Sequence, residues 1–116
     1  MVIDDDLQIL KAIGRILRPD CEVVAISDGD DALARLDSGE TVDGILCDVN
    51  LRTMTGIEFQ RTLSARDPQL ASRLVFMTGG EAPSSIGAEM TIAKPFRGSE
   101  LREAVHGLLT RPRTTI

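Results

Sequence analysis

The chain has 116 residues, enough for one hydrophobic core, and is expected to form one domain over 1–116. With 42% hydrophobic and 27% charged residues it reads as globular. A formal charge of −5, from 13 Lys and Arg against 18 Asp and Glu, argues against nucleic-acid binding. No apolar run is long enough to cross a membrane and no signal-peptide pattern opens the sequence, so a cytoplasmic domain without membrane contact is expected.

Met1-Val2-Ile3 is a short apolar strand that starts abruptly, as in a fragment of a longer protein, and ends in Asp4-Asp5-Asp6. Apolar residues at 7, 9, 10, 13, 16 and 17 then recur at helical spacing until Pro19. The β-branched Glu22–Ile26 run is a second strand. Ser27 or Asp28 caps a second helix whose Ala32, Leu33 and Leu36 face inward, ending near Gly39. A third strand ends abruptly at Asp48, and Asn50 to Gly56 turn into a helix carrying Ile57, Phe59 and Leu63, closed by Asp67-Pro68.

Leu74 to Met77 is a fourth buried strand ending at Thr78, and Thr91-Ile92-Ala93 a fifth ending at Lys94-Pro95-Phe96. A last helix starts at Gly98 or Ser99 and turns Leu101, Val105, Leu108 and Leu109 inward, before a frayed tail at Arg111-Pro112-Arg113. Strands alternating with helices predict an α/β, doubly wound, five-stranded parallel sheet of flavodoxin-like order 2-1-3-4-5. The 12 residues from Gly79 to Met90, with three glycines and a proline, leave little room for a helix, so helix 4 is expected to be shortened or missing.

Ligands of open parallel sheets bind beyond the carboxyl ends of the strands. Asp48 stands at such an end, and the competing reading is a helix cap. Adjacent strands lie about 4.8 Å apart, so Asp4, Asp5, Asp48, Thr78 and Lys94 can share one pocket. Clustered carboxylates repel, and Mg²⁺ relieves that repulsion better than an all-protein Ca²⁺ cage. Lys94 adds a positive charge and Thr78 a hydroxyl donor, both suited to a phosphoryl group, with Asp48 as carboxylate nucleophile. Cys21, Cys47 and His106 form no zinc pattern; Cys47 reads as a small hydrophobe, and Met54 and Met77 as packing residues. Asp6 reads as a cap or solvated residue rather than a ligand.

In this order, Val2-Ile3-Asp4-Asp5-Asp6, Cys47-Asp48-Val49-Asn50-Leu51, Met54-Thr55-Gly56, Met77-Thr78-Gly79 and Lys94-Pro95-Phe96 resemble the receiver domain of two-component response regulators, and the short Gly79 to Met90 connection is similar to that of receivers attached to hybrid histidine kinases. The resemblance implies a phosphorelay module, not an enzyme in its own right. Asp48 would take phosphate from a phosphohistidine on a histidine kinase or histidine phosphotransfer domain. Asp5, Asp48 and the Asn50 backbone carbonyl would bind Mg²⁺, with Asp4 acting through water. Thr78 and Lys94 would contact the phosphoryl group, and the Lys94-Pro95 peptide would be cis.

Two residues depart from the family pattern. Arg52 stands where many receivers have proline, so a less rigid loop after Asp48 is expected; Thr91 takes the place of the aromatic switch residue and, with the short Gly79 to Met90 segment, directs output to another face or to simple phosphate relay. Two other functions remain open at this point: a degenerate receiver that binds a partner without phosphate, and a Mg²⁺-dependent aspartyl-phosphate hydrolase. The hydrolase signature wants a second acid where this chain has Asn50.

Overall fold

The structure is a computed structural model that describes residues 1–80 and 91–110. Five parallel strands, β1 (Val2–Ile3), β2 (Ala25–Ile26), β3 (Ile45–Asp48), β4 (Leu74–Thr78) and β5 (Thr91–Ala93), lie in the order β2-β1-β3-β4-β5. This is the predicted doubly wound sheet. Both faces are covered: α1 (Leu7–Leu17) and α5 (Gly98–Leu109) pack on one, α2 (Gly29–Asp37) and α3 (Gly56–Arg66) on the other. The alternation of each strand explains this division. Ile3, Ile45, Cys47, Leu74 and Phe76 point to the α2 and α3 side, and Val2, Leu46, Val75, Met77 and Ile92 to the α1 and α5 side.

Capping follows local chemistry. The Asp6 carboxylate accepts from the Gln8 and Ile9 amides and starts α1, as expected, and Asp28 accepts from the Asp30 amide and starts α2. Thr55 starts α3 by accepting from the Glu58 amide at 3.0 Å. Asp48 therefore does not cap α3.

Two expectations are corrected and one is extended. β2 begins at Ala25 rather than Glu22, because it is only as long as the two residues of β1 it pairs with. Pro68 does not merely close α3: it opens the four-residue α4 (Pro68–Ala71), where the missing amide of proline costs nothing, and Asp67 caps it by accepting from the Leu70 amide. Leu109 is 38% exposed, since it lies one position round the helix from the stripe of Leu101, Val105 and Leu108. The expected shortening of the connection between Gly79 and Met90 and the frayed tail from Arg111 fall largely or wholly outside the described residues. Among the described residues, no helix is long and apolar enough to cross a membrane.

Candidate functional site

The sheet order places β1 beside β3 with β4 on its other flank, so the first crossover and the third strand meet at a topological switch point. Asp4 and Asp5 follow β1 and Asp48 ends β3. One carboxylate oxygen from each of the three lies within 4.8 Å of the others. Asp4 is fully buried, Asp5 half-buried and Asp48 7% exposed.

Lys94, just beyond β5, reaches across the strand ends. Its Nζ lies 2.6 Å from Asp4 Oδ2 and 3.4 Å from Asp48 Oδ2. The other oxygen of Asp4 accepts from the Asp6 amide at 2.9 Å, and Asp48 Oδ1 accepts from the Asn50 amide at 3.2 Å. Asp48 thus has one amide and one longer contact to a cation, while Asp4 holds the lysine closely. The Lys94-Pro95 peptide is cis, as expected.

The electrostatics follow from this packing. Burial, together with the negative charge of Asp4, raises the Asp48 carboxyl above its ordinary range, and the Asn50 amide and Lys94 only partly offset the rise. Burial alone would lower the Lys94 ammonium, yet its contacts with Asp4 and Asp48 prevail and raise it above an ordinary lysine. Burial and the two neighbouring carboxylates push the Cys47 thiol far up, so it is an inert hydrophobe, as expected.

Thr78 ends β4 and is buried. Its hydroxyl is engaged with Gly80, donating to the carbonyl and accepting from the amide, both at 3.2 Å. Its carbonyl accepts from the Lys94 amide at 2.7 Å, which ties the ends of β4 and β5 together. Asn50 is exposed and forms an antiparallel bridge with Thr55 that closes the loop after the strand.

Sequence reasoning named Gly56 and Met54 but missed three contacts that support this site. A Cβ on Gly56 would lie 2.4 Å from the Asp48 carbonyl oxygen, so only glycine lets α3 start against the end of β3. The Thr53 hydroxyl donates to Asp28 Oδ1 at 3.1 Å, and Met54 packs so closely on Gly29 that a Cβ there would lie 2.9 Å from its sulfur. Both contacts pin the loop to the start of α2. Only Gly56 left a signal, in its place at a helix start; the others join residues about 25 apart and show no local pattern.

Comparison with known proteins agrees with this geometry. The family described as response regulator receiver domain matches residues 1–106. The hydrogenase transcriptional regulatory protein HoxA of Bradyrhizobium diazoefficiens is 30% identical over 111 residues, covering 90% of this chain and 22% of that protein. The transcriptional regulatory protein FlgR of Helicobacter pylori is 30% identical over 113 residues, covering 90% and 28%. Hybrid signal transduction histidine kinase L of Dictyostelium discoideum is 26% identical, covering 90% and 7%. The chain thus spans less than a third of the length of these relatives.

Among solved structures, the receiver domain of NtrX from Brucella abortus matches with a TM-score of 0.82 at 26% identity, covering 93% of this chain and 95% of that one. The chemotaxis response regulator CheY4 of Vibrio cholerae matches with a TM-score of 0.80 at 26% identity, with the same coverage. A sheet of order 2-1-3-4-5 with three carboxylates and a lysine at its switch point, and a family match over 1–106, place this chain in the response regulator receiver domain family of two-component signalling.

Proposed function

We propose that the domain is a phosphoacceptor in a phosphorelay, with Asp48 as the nucleophile. The observation that carries this reading is the partly satisfied Asp48 carboxylate, buried beside Asp4, Asp5 and Lys94 at the open end of the sheet. A carboxylate with only one amide and one long cation contact keeps a lone pair available for attack. In the step, an Asp48 oxygen forms a bond to phosphorus while the bond from phosphorus to the donor nitrogen breaks. The electron pair leaves on the imidazole, which takes a proton from solvent.

The three carboxylates suit a hard divalent ion in their number, oxygen chemistry and spacing, and a single lysine leaves their charge only partly neutralised. Asp5, Asp48 and the Asn50 carbonyl would hold Mg²⁺, with Asp4 acting through water. When bound, the ion supplies charge neutralisation for the phosphoryl oxygens. Lys94 holds its position through Asp4 and presents its charge to the phosphoryl group. Thr78 exchanges its bonds to Gly80 for one to a phosphoryl oxygen. The donor would be a histidine kinase or histidine phosphotransfer domain, a reading supported by relatives named as transcriptional regulators and a hybrid histidine kinase.

Intact-mass analysis after incubation with Mg²⁺ and acetyl phosphate tests the reading. One adduct of about 80 Da, a single phosphoryl group, is expected on the wild type and none on Asp48→Asn. No adduct on the wild type would favour a phosphate-independent binding module. Continuous hydrolysis of varied phosphate esters would favour an aspartyl-phosphate hydrolase.

A further inference from the structure

We infer that Arg52 is a positioning residue for the phosphodonor, a cation that takes hold of the anionic group at the mouth of the site before transfer. The inference rests on the reading of Asp48 as acceptor. A cavity of about 270 Å³ adjoins the acid cluster, walled by Asp5, Leu7, Ser27, Asp28, Arg52 and Thr53. Among the described residues, the side chains of Asp5 and Arg52 make no hydrogen bond or ion pair, whereas Asp28 is engaged by the Asp30 amide and the Thr53 hydroxyl. One cavity is thus walled by two residues of opposite charge whose side chains are unengaged, the complement of a divalent cation paired with a phosphate.

The backbone of Arg52 is held for this task. The Asn50–Thr55 bridge closes its loop, Thr53 is bonded to Asp28, and Met54 is seated on Gly29. An arginine guanidinium binds phosphate oxygens through two parallel N–H donors in a planar fork, so less side-chain freedom is lost per hydrogen bond than with lysine. The need is electrostatic: a domain of net charge −5 with three clustered carboxylates repels an anionic donor, and a local cation at the mouth offsets that repulsion during encounter. Leu7, 63% exposed on the same rim, gives the approaching donor an apolar edge beside the charge.

Two measurements with phosphoramidate as the probe test the role of Arg52. In Asp48→Asn with Mg²⁺, where no acyl phosphate can form, the Arg52 Nε–H resonance is expected to shift saturably as phosphoramidate is added. In the otherwise wild-type chain, Arg52→Ala is expected to raise the half-saturating donor concentration about tenfold, the lower range for a hydrogen bond to a charged group, and to leave the limiting rate within about twofold. Arg52→Lys should fall between them, having the charge without the fork. The Mg²⁺ dependence of the melting temperature should not change in either variant.

An unmoved Nε–H signal together with an unchanged half-saturating concentration overturns the role. A change confined to Mg²⁺ affinity also overturns it and assigns Arg52 to the metal's surroundings. A donor-dependent Arg52 shift without any adduct on the wild type supports Arg52 and refutes Asp48 as acceptor. An adduct with donor dependence indifferent to Arg52 does the reverse.

Discussion

Two charged side chains, Arg73 and Asp48, are each buried to 7% exposure at opposite ends of adjacent parallel strands, and their surroundings differ in kind. At the amino end of β4, Arg73 donates from Nε to the Asp43 carbonyl at 2.6 Å and from Nη2 to the Leu109 carbonyl at 3.2 Å. Two backbone carbonyls are aimed at the guanidinium and hold it in place. At the carboxyl end of β3, Asp48 faces two further carboxylates, one amide and a lysine already bonded to Asp4. One end of the sheet is a structural joint, and the other gathers three carboxylates around one shared lysine.

Removing the shared cation breaks this contrast most strongly. Lys94→Ala leaves Asp4 and Asp48 buried without their cation and should cost about 3–5 kcal/mol by chemical unfolding at neutral pH. The Lys94 ammonium is raised in the folded protein, so its contribution is complete below its ordinary value of 10.5 and fades as pH climbs through the raised value. The difference between the two proteins should therefore narrow at strongly alkaline pH. A loss that stays constant there would mean that packing of the lysine stem, rather than its charge, supports the fold.

Arg73→Met is expected to cost less, about 1–3 kcal/mol, because two backbone carbonyls lose a donor. Phosphorylation by acetyl phosphate should be unaffected. A slowed reaction would show that the two ends of the sheet are coupled.

The smallest effect has the opposite sign. Because the Asp48 carboxyl is raised when folded, wild-type stability falls as pH rises from the ordinary value of 3.8 through the raised one. Asp48→Asn lacks that fall. Its melting temperature should match the wild type below 3.8 and exceed it at neutral pH without Mg²⁺, and millimolar Mg²⁺ should narrow the gap by stabilising the wild type alone. A variant less stable than the wild type at neutral pH would show that Asp48 is structurally satisfied, like Arg73.

Local pattern reaches some of these features and not others. Each strand end carrying Asp5, Asp48, Thr78 or Lys94 was legible as an apolar run stopping at a polar residue, and the doubly wound order brought those ends together. The role of Arg73 was not legible, because an arginine before a strand ordinarily reads as solvated and its two carbonyl partners lie 30 and 36 residues away. The four-residue α4 was hidden because Asp67-Pro68 signals the end of one helix and the beginning of another equally well.

The sequence by itself determined the fold class and the identity of the clustered groups, and narrowed the second helix cap to Ser27 or Asp28, since these depend on periodicity and on residue chemistry along the chain. Tertiary structure alone decided how those groups share their bonds. The Lys94 ammonium, 90 residues from Asp4, binds it at 2.6 Å and reaches Asp48 only at 3.4 Å; Thr78 spends its hydroxyl on Gly80; Arg52 and Asp5 face one cavity unengaged. Allocation of donors among competing acceptors depends on distances of a few tenths of an ångström, which are set by packing across the sheet rather than by order along the chain.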